Sequence, residues 1–400
     1  MSKKHFIALV LTLFYLVGIQ AQTLQENIDS LLQDPMFQRS QVAVLVYDLD
    51  GDSVVYRYGE RQLMRPASVM KLLTSITALE YLGVNHPFQT TMKYSGSLQQ
   101  DTVYTDSVNF RMETRIKGDL YIHGGFDPLF GKDDMEDFIQ SFRNYNIRRI
   151  DGNIYADLSF KDTLKWGEGW CWDDKEATLT PLLYNAKDIF MTRFMQALDA
   201  DSIQHPSTYY RLTDVVASEA SDCETLSVCS HSIGQMLTRM MKESDNLYAE
   251  SLFYQLGAQA PSSARKSAER EYGFIRSLSL SPDDYTIADG SGLSLYNYLT
   301  PQLVVRLLRY AWNNPRIIKA LYPTLPIAGR DGTLKKRMVG TPAQDNVRAK
   351  TGTLRKVSTL AGYATTSEGT HLAFCIFNQG ILNSQEGRDF QDRVCLELVK

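Results

Sequence analysis

Residues 65–74 read Arg65-Pro66-Ala67-Ser68-Val69-Met70-Lys71-Leu72-Leu73-Thr74. From Ser68 onward, apolar residues recur at Val69, Leu72, Leu73, Ile76, Leu79 and Leu82. This spacing predicts a helix over 68–82. Met70 and Ala78 make its other side apolar too, so the helix is expected to be buried. Pro66 before it and Gly83 after it are start and stop signals. On such a helix Ser68 and Lys71, three residues apart, share a face, and the amine reaches the hydroxyl. A serine hydroxyl needs a base, and an ammonium is not one. The Lys71 pKa must fall from about 10.4 by roughly three units to leave a useful neutral fraction at pH 7. Burial and a second nearby cation both push it that way. The helix start also offers N–H groups and the positive dipole end to an oxyanion.

Two further triplets complete a set: Ser244-Asp245-Asn246 and Lys350-Thr351-Gly352. Ser244 can relay a proton, and Asn246 offers a donor and an acceptor to a peptide backbone. Lys350 with the hydroxyls of Thr351 and Thr353 suits a substrate carboxylate, and Gly352 on a strand lets a backbone approach closely. Ser-x-x-Lys alone is weak, since Ser263…Lys266 repeats it in a polar stretch, and Ser107-Val108-Asn109 mimics Ser-x-Asn. Three matches in order, each on the element its chemistry needs, form a strong signal. There is no G-x-S-x-G elbow, no HExxH and no C-x-x-C, and the six histidines show no metal spacing, so neither a metal nor a cofactor is expected.

Outward from these motifs, Thr23–Leu32 reads as a helix, and Val42–Asp48 and Val54–Tyr58 as strands joined at Asp50-Gly51. Residues 89–215 read as short strands, turns and acidic loops. Helical spacing returns at Ile233–Met241, Tyr248–Leu256 and Leu303–Ala311. The chain ends with strands at Asn346–Thr351, Leu360–Thr365 and Leu372–Phe377 and a helix at Glu386–Leu398. Strands at both ends with helices between them predict one sheet built from distant parts of the chain. The expected division is a catalytic domain from 22–88 and 216–400 with 89–215 inserted.

The chain resembles the D-Ala-D-Ala carboxypeptidase/endopeptidase family, the class C low-molecular-mass penicillin-binding proteins. The likeness rests on the three motifs together with Gly118-Asp119-Leu120-Tyr121, Gly124-Gly125-Phe126-Asp127-Pro128, Asp289-Gly290-Ser291-Gly292-Leu293-Ser294 and Ala328-Gly329-Arg330-Asp331-Gly332-Thr333-Leu334. It implies an α/β (α+β) fold: a β-lactamase/transpeptidase-like domain, with an antiparallel sheet sandwiched by helices, plus an inserted smaller β-rich domain. It further implies acylation of Ser68 by peptidoglycan stem peptides, deacylation by water through Lys71 and Ser244, covalent inhibition by β-lactams, and an oxyanion hole from the N–H groups of Ser68 and Thr353. Two departures stand out. About 170 residues separate Lys71 from Ser244, fewer than in larger members of the family. Leu295 also stands where the family often has an Arg associated with binding the end of a diaminopimelate side chain. Asp127 then remains as a candidate ligand for a side-chain amine; turn-shaping by Asp-Pro is the other reading. A catalytically idle wall-binding or regulatory protein, and an esterase or β-lactamase on the same fold, are the alternatives.

Lys3 and Lys4 followed by the apolar run Phe6–Val17 and the small-residue site at Ile19-Gln20-Ala21 read as an export signal over 1–21. The run falls short of the roughly 20 residues that span a bilayer. Loss of this leader takes the formal charge from −4 to −6, because it removes two lysines and no acid; an acidic chain argues against nucleic acid. In an oxidising compartment, the five cysteines permit at most two bridges. Cys223 and Cys229 are close enough to pair, and Cys375 and Cys395 lie in the last strand and helix. Oligomeric state is not encoded in these features.

Overall fold

The computed structural model describes residues 23–213, 223–257 and 261–400. The expected leader lies outside them. Helix α1 spans Leu24–Leu31, capped by Thr23 and Glu26 in a reciprocal box. Strands β1 (Gln41–Asp48) and β2 (Ser53–Tyr58) follow, then a 3-10 turn at Ala67–Val69 leading into α2 (Met70–Tyr81). Every residue of α2 from Met70 to Leu79 is buried.

Chain order continues with β3 (Pro87–Tyr94), β4 (Ser97–Tyr104), β5 (Phe110–Lys117), β6 (Leu120–His123), α3 (Lys132–Asn144), β7 (Ile147–Ile150), β8 (Ile154–Asp157), α4 (Phe190–Ala200), β9 (Tyr210–Leu212) and β10 (Glu224–Ser232). After these come α5 (Ile233–Lys242), α6 (Asn246–Leu256), α7 (Ala264–Ser277), α8 (Pro301–Trp312), α9 (Pro315–Leu321), β11 (Arg348–Leu354), β12 (Val357–Thr365), β13 (His371–Gln379) and α10 (Ser384–Leu398).

The first sheet has the order β11-β12-β13-β1-β2 and is antiparallel throughout. Strand β1 therefore lies against β13, with Val44 opposite Ile376. Alternation along the strands separates two cores. Ala43, Leu45, Ala373, Cys375 and Phe377 face α2, α6 and α8. Val42, Val44, Val46, Phe374 and Ile376 face Phe390 and Val394 of α10. Cys375 and Cys395 thus sit in different cores, on opposite sides of the sheet, and do not pair. Cys229 is also a thiol, its sulfur donating to Asp134 at 3.2 Å, so the bridge to Cys223 is absent.

Two more sheets, β10-β3-β6-β8-β9 and β4-β5-β7, occupy the middle of the chain. Several of their pairs are parallel (β6 with β8, β8 with β9, β5 with β7). They share a core with α3 and α4, built around Phe138, Phe142, Phe190 and Phe194. The reading of 89–215 as short strands, turns and acidic loops is therefore corrected by two helices within it. Met135, Phe138, Ile139 and Phe142 give α3 a one-sided apolar face that closes over the sheet, which short strands with turns do not account for. Strand β10 pairs along its length with β3, so residues 224–232 belong to the second sheet although they follow position 216. Among the described residues, no helix is long and apolar enough to cross a membrane.

Candidate active site

Ser68 lies in the 3-10 turn that leads into α2, and Lys71 in the first turn of that helix. The Lys71 side chain is fully buried. Its Nζ is 3.0 Å from Ser68 Oγ, 2.6 Å from Asn246 Oδ1 and 2.8 Å from the Ser291 carbonyl. As an ammonium, its three protons match these three acceptors. Burial pushes the Lys71 pKa down to about 8, against the opposing pull of Asp289, Glu250, Asp245 and Glu176. About a tenth of Lys71 is then neutral at pH 7, and a neutral Nζ at this distance from Ser68 Oγ is able to take up a proton.

Asn246 opens α6, whose cap is Asp245, the Asp245 carboxylate accepting from Tyr248 N at 3.3 Å. Ser244, just before the cap, holds a left-handed φ of 61°. A side chain in that region costs energy that the surroundings must supply. Lys350, on β11 and fully buried, donates to Ser244 Oγ and to the Thr351 carbonyl, each at 2.8 Å. Burial, and then the charge on Lys71, hold the Lys350 amine well below its usual range. The expected companion-cation effect therefore acts on Lys350; Lys71 is lowered by burial itself.

Thr351 Oγ1 donates to Thr333 Oγ1 at 2.7 Å, and Thr353 is exposed on the same strand. Gly352 has a different reason from the one expected. A Cβ there would lie 2.2 Å from Thr359 Oγ1 and 2.8 Å from the Pro66 carbonyl. The space it leaves is occupied by the protein's own turn before Ser68, and Thr359 Oγ1 donates to that carbonyl at 2.8 Å. Direct hydrogen bonds thus join Ser68 and Asn246 to Lys71, and Ser244 to Lys350, and the charge on Lys71 acts on Lys350 across the gap between the two sets. The second Ser-x-x-Lys does not join them: Ser263 Oγ caps α7 by accepting from Lys266 N, and Lys266 Nζ donates to the Pro261 carbonyl.

The sequence model of the D-Ala-D-Ala carboxypeptidase 3 (S13) family matches residues 24–186 and 184–397. The chain belongs to this family. Expected from the sequence as a serine-type D-Ala-D-Ala carboxypeptidase, it has the activity class of its family. The D-alanyl-D-alanine carboxypeptidase of Actinomadura sp. is 27% identical, over 91% of this chain and 82% of that one. DacB of Haemophilus influenzae, another D-alanyl-D-alanine carboxypeptidase, is 23% identical over 88% of each. The crystal structure of H. influenzae penicillin binding protein 4 (dacB) superposes with a TM-score of 0.80 at 21% identity, over 93% of this chain and 98% of that one. A second structure of that protein, complexed with a β-lactam, gives a TM-score of 0.73 at 20% identity over 92% and 98%. These likenesses bear out the transpeptidase-like α/β fold.

In this carboxypeptidase, Asp127 is not brought to the cluster. It is 1% exposed, its Oδ2 lies 2.7 Å from His231 Nδ1, and its Oδ1 accepts from Leu129 N at 2.9 Å. A carboxylate with both oxygens engaged and no open face is unsuited to receive a substrate amine, so the amine-ligand reading is set aside. Leu295 contributes backbone only: its carbonyl accepts from Arg65 Nε at 2.8 Å.

Two further groups shape the site. One is the turn 289–294, among the segments that carry the family resemblance, which supplies the Ser291 carbonyl. Asp289 accepts from Gly292 N (2.7 Å), Ser294 N (2.6 Å), Asn297 Nδ2 (2.7 Å) and Trp170 Nε1 (2.9 Å). Glu250 accepts from Ser291 N at 2.8 Å, and burial together with Asp289 raises its pKa. The other is Glu176, whose Oε1 accepts from Asn246 Nδ2 at 2.7 Å. That bond fixes the amide so that Oδ1 faces Lys71. Glu176→Ala should lower the second-order rate of acylation by a fluorescent penicillin about 10-fold or more, in line with one charge-assisted hydrogen bond. Glu176→Gln, which keeps an acceptor, should recover most of the rate.

Proposed function

We propose that Ser68 is the nucleophile of this carboxypeptidase and neutral Lys71 its general base, acting on stem peptides that end in D-Ala-D-Ala. The observation that carries the proposal is the buried Lys71 Nζ at 3.0 Å from Ser68 Oγ. Lys71 takes the hydroxyl proton as Oγ adds to the penultimate carbonyl. The resulting oxyanion is received by the N–H groups of Ser68 and Thr353. The proton then passes to the departing D-Ala amine, with Ser244 as relay, and the Ser68 ester remains. Water enters, gives a proton to Lys71 and adds to the ester carbonyl. Collapse returns a proton to Oγ and frees the shortened peptide.

Lys350, Thr351 and Thr353 would hold the terminal carboxylate, and the Asn246 amide the peptide backbone. An incoming carboxylate restores the charge that burial takes from Lys350. The same groups would accept a β-lactam, whose opened ring leaves an ester on Ser68. We further propose that the enzyme is exported and works on peptidoglycan outside the cytoplasm. The segment 89–215 would be an insertion in a catalytic domain made of 22–88 and 216–400, with β10 returning through the inserted sheet.

Fluorescent penicillin should label the protein covalently, and the purified enzyme should release D-Ala from diacetyl-Lys-D-Ala-D-Ala. In Ser68→Ala both signals should vanish while the far-ultraviolet circular dichroism stays unchanged. A wild-type protein that never takes the label, or labelling that survives in Ser68→Ala, would refute the assignment.

A further inference from the structure

Away from the catalytic cluster, four side chains of metal-ligating chemistry converge beside the turn that follows β6. Asp127 lies on that turn, Cys229 and His231 sit two apart on β10 and so share a face, and Asp134 is in the first turn of α3. Asp127, Cys229 and His231 each place one ligand atom within 4.8 Å of the other two. His231 Nδ1 is 2.7 Å from Asp127 Oδ2 and 3.9 Å from Cys229 Sγ. Asp134 Oδ1 is 3.2 Å from that sulfur and 3.5 Å from His231 Nε2. The backbone orients both carboxylates. Leu129 N holds Asp127 Oδ1 at 2.9 Å and Gly131 N holds Asp134 Oδ2 at 2.7 Å, so each turns its other oxygen inward.

We propose that Asp127, Cys229 and His231 bind one divalent transition-metal ion of the zinc class, with Asp134 orienting the His231 ring. A thiolate, an imidazole and a carboxylate form the mixed S, N, O donor set that such ions prefer, and three protein ligands leave a fourth position for water. Ligand bonds of about 2.0–2.3 Å set tetrahedral ligand atoms roughly 3.3–3.8 Å apart. The sulfur–nitrogen distance is already close to this, and His231 and Asp127 need part by only about an ångström. With Nδ1 on the ion, the Nε2–H points at Asp134, the carboxylate–histidine–metal arrangement that fixes ring and tautomer. The His231 side chain is 18% exposed, which gives the ion a path from solvent, whereas Asp127 is closed off.

Ligation needs Nδ1 unprotonated and Cys229 as its thiolate, so the ion competes with protons at both atoms and affinity should fall as pH falls. The ion would also fasten β10 and α3 to a turn already seated on α6: Gln255 Nε2 donates to the Gly125 carbonyl at 2.8 Å and Tyr248 OH to that of Pro128 at 3.4 Å.

The test uses the protein reduced with a phosphine, stripped with EDTA and titrated with Co(II). Wild type should saturate at one equivalent, with visible bands of four-coordinate cobalt and a near-ultraviolet sulfur-to-cobalt band, and Zn(II) should bleach both. Cys229→Ser should lose the sulfur band, and Asp127→Asn and His231→Asn should weaken binding about 10-fold or more. Zn(II) should raise the melting temperature of wild type and not of Cys229→Ser. Only the pale spectrum of six-coordinate aqueous cobalt in wild type would overturn the proposal. So would a sulfur band that survives in Cys229→Ser, which would place the ion at the exposed Cys171, Asp173 and Asp174 group. These readouts involve no acyl-enzyme, so they stand or fall separately from the assignment of Ser68.

Discussion

Lys71→Ala should slow acylation of Ser68 by roughly 10³-fold, in the range expected for a lost general base, without unfolding the protein. In wild type the acylation rate should climb with pH. The proposed base is the neutral amine, whose pKa burial brings down to about 8. The active fraction is therefore small at pH 6, half at about pH 8, and complete above pH 9. The sign distinguishes this site from one using an ordinary carboxylate base, which would already be ionised near pH 5. Stopped-flow acylation by a chromogenic cephalosporin between pH 5.5 and 9.5 measures the profile. A flat profile, or a limb falling through pH 8, would remove Lys71 from its role. In Lys71→Ala the residual rate should lose the limb at pH 8.

The second large effect is expected at Gly292. It holds a φ of +82°, and a Cβ there would sit 1.9 Å from the Ala67 carbonyl oxygen and 2.8 Å from Met70 Cβ. Backbone on that side cannot yield as a flexible side chain would. Gly292→Ala must therefore part the 289–294 turn from the turn bearing Ser68, which is where the Ser291 carbonyl meets Lys71. Left-handed strain of about 1–2 kcal/mol adds to the steric clash. Urea denaturation should show a loss of about 2–4 kcal/mol, the scale of a severe packing defect. Acylation measured well below the new midpoint should still fall by about 100-fold or more. Stability lost with acylation intact would show that the two turns move independently.

Much of this site was legible because its chemistry is carried by short-range order. Ser68 and Lys71 lie one turn apart in an apolar run, and Ser244 with Asn246 and Lys350 with Thr351 are near neighbours in sequence. The sheet followed from strand-like segments at both ends of the chain with helices between them. What escaped were partnerships across the chain. Glu176 meets Asn246 over 70 positions and Trp170 meets Asp289 over 119, and no periodicity marks such pairs. Asp127 was misjudged for the same reason: its partner His231 lies 104 residues away. Helix α3 was different, since Met135, Phe138, Ile139 and Phe142 carry a helical stripe that the surrounding acidic residues obscured.

The pairing of β1 with β13 bears on how the polypeptide matures. Position 41 meets 379, so the N-terminal hairpin presents an open edge until almost all of the chain has emerged. Contacts that span such a sequence distance form late and slowly, and an uncovered edge invites association with foreign strands. Any holdase that accompanies the unfolded chain would therefore find its natural target in residues 41–58, and its release would coincide with arrival of the carboxyl-terminal hairpin.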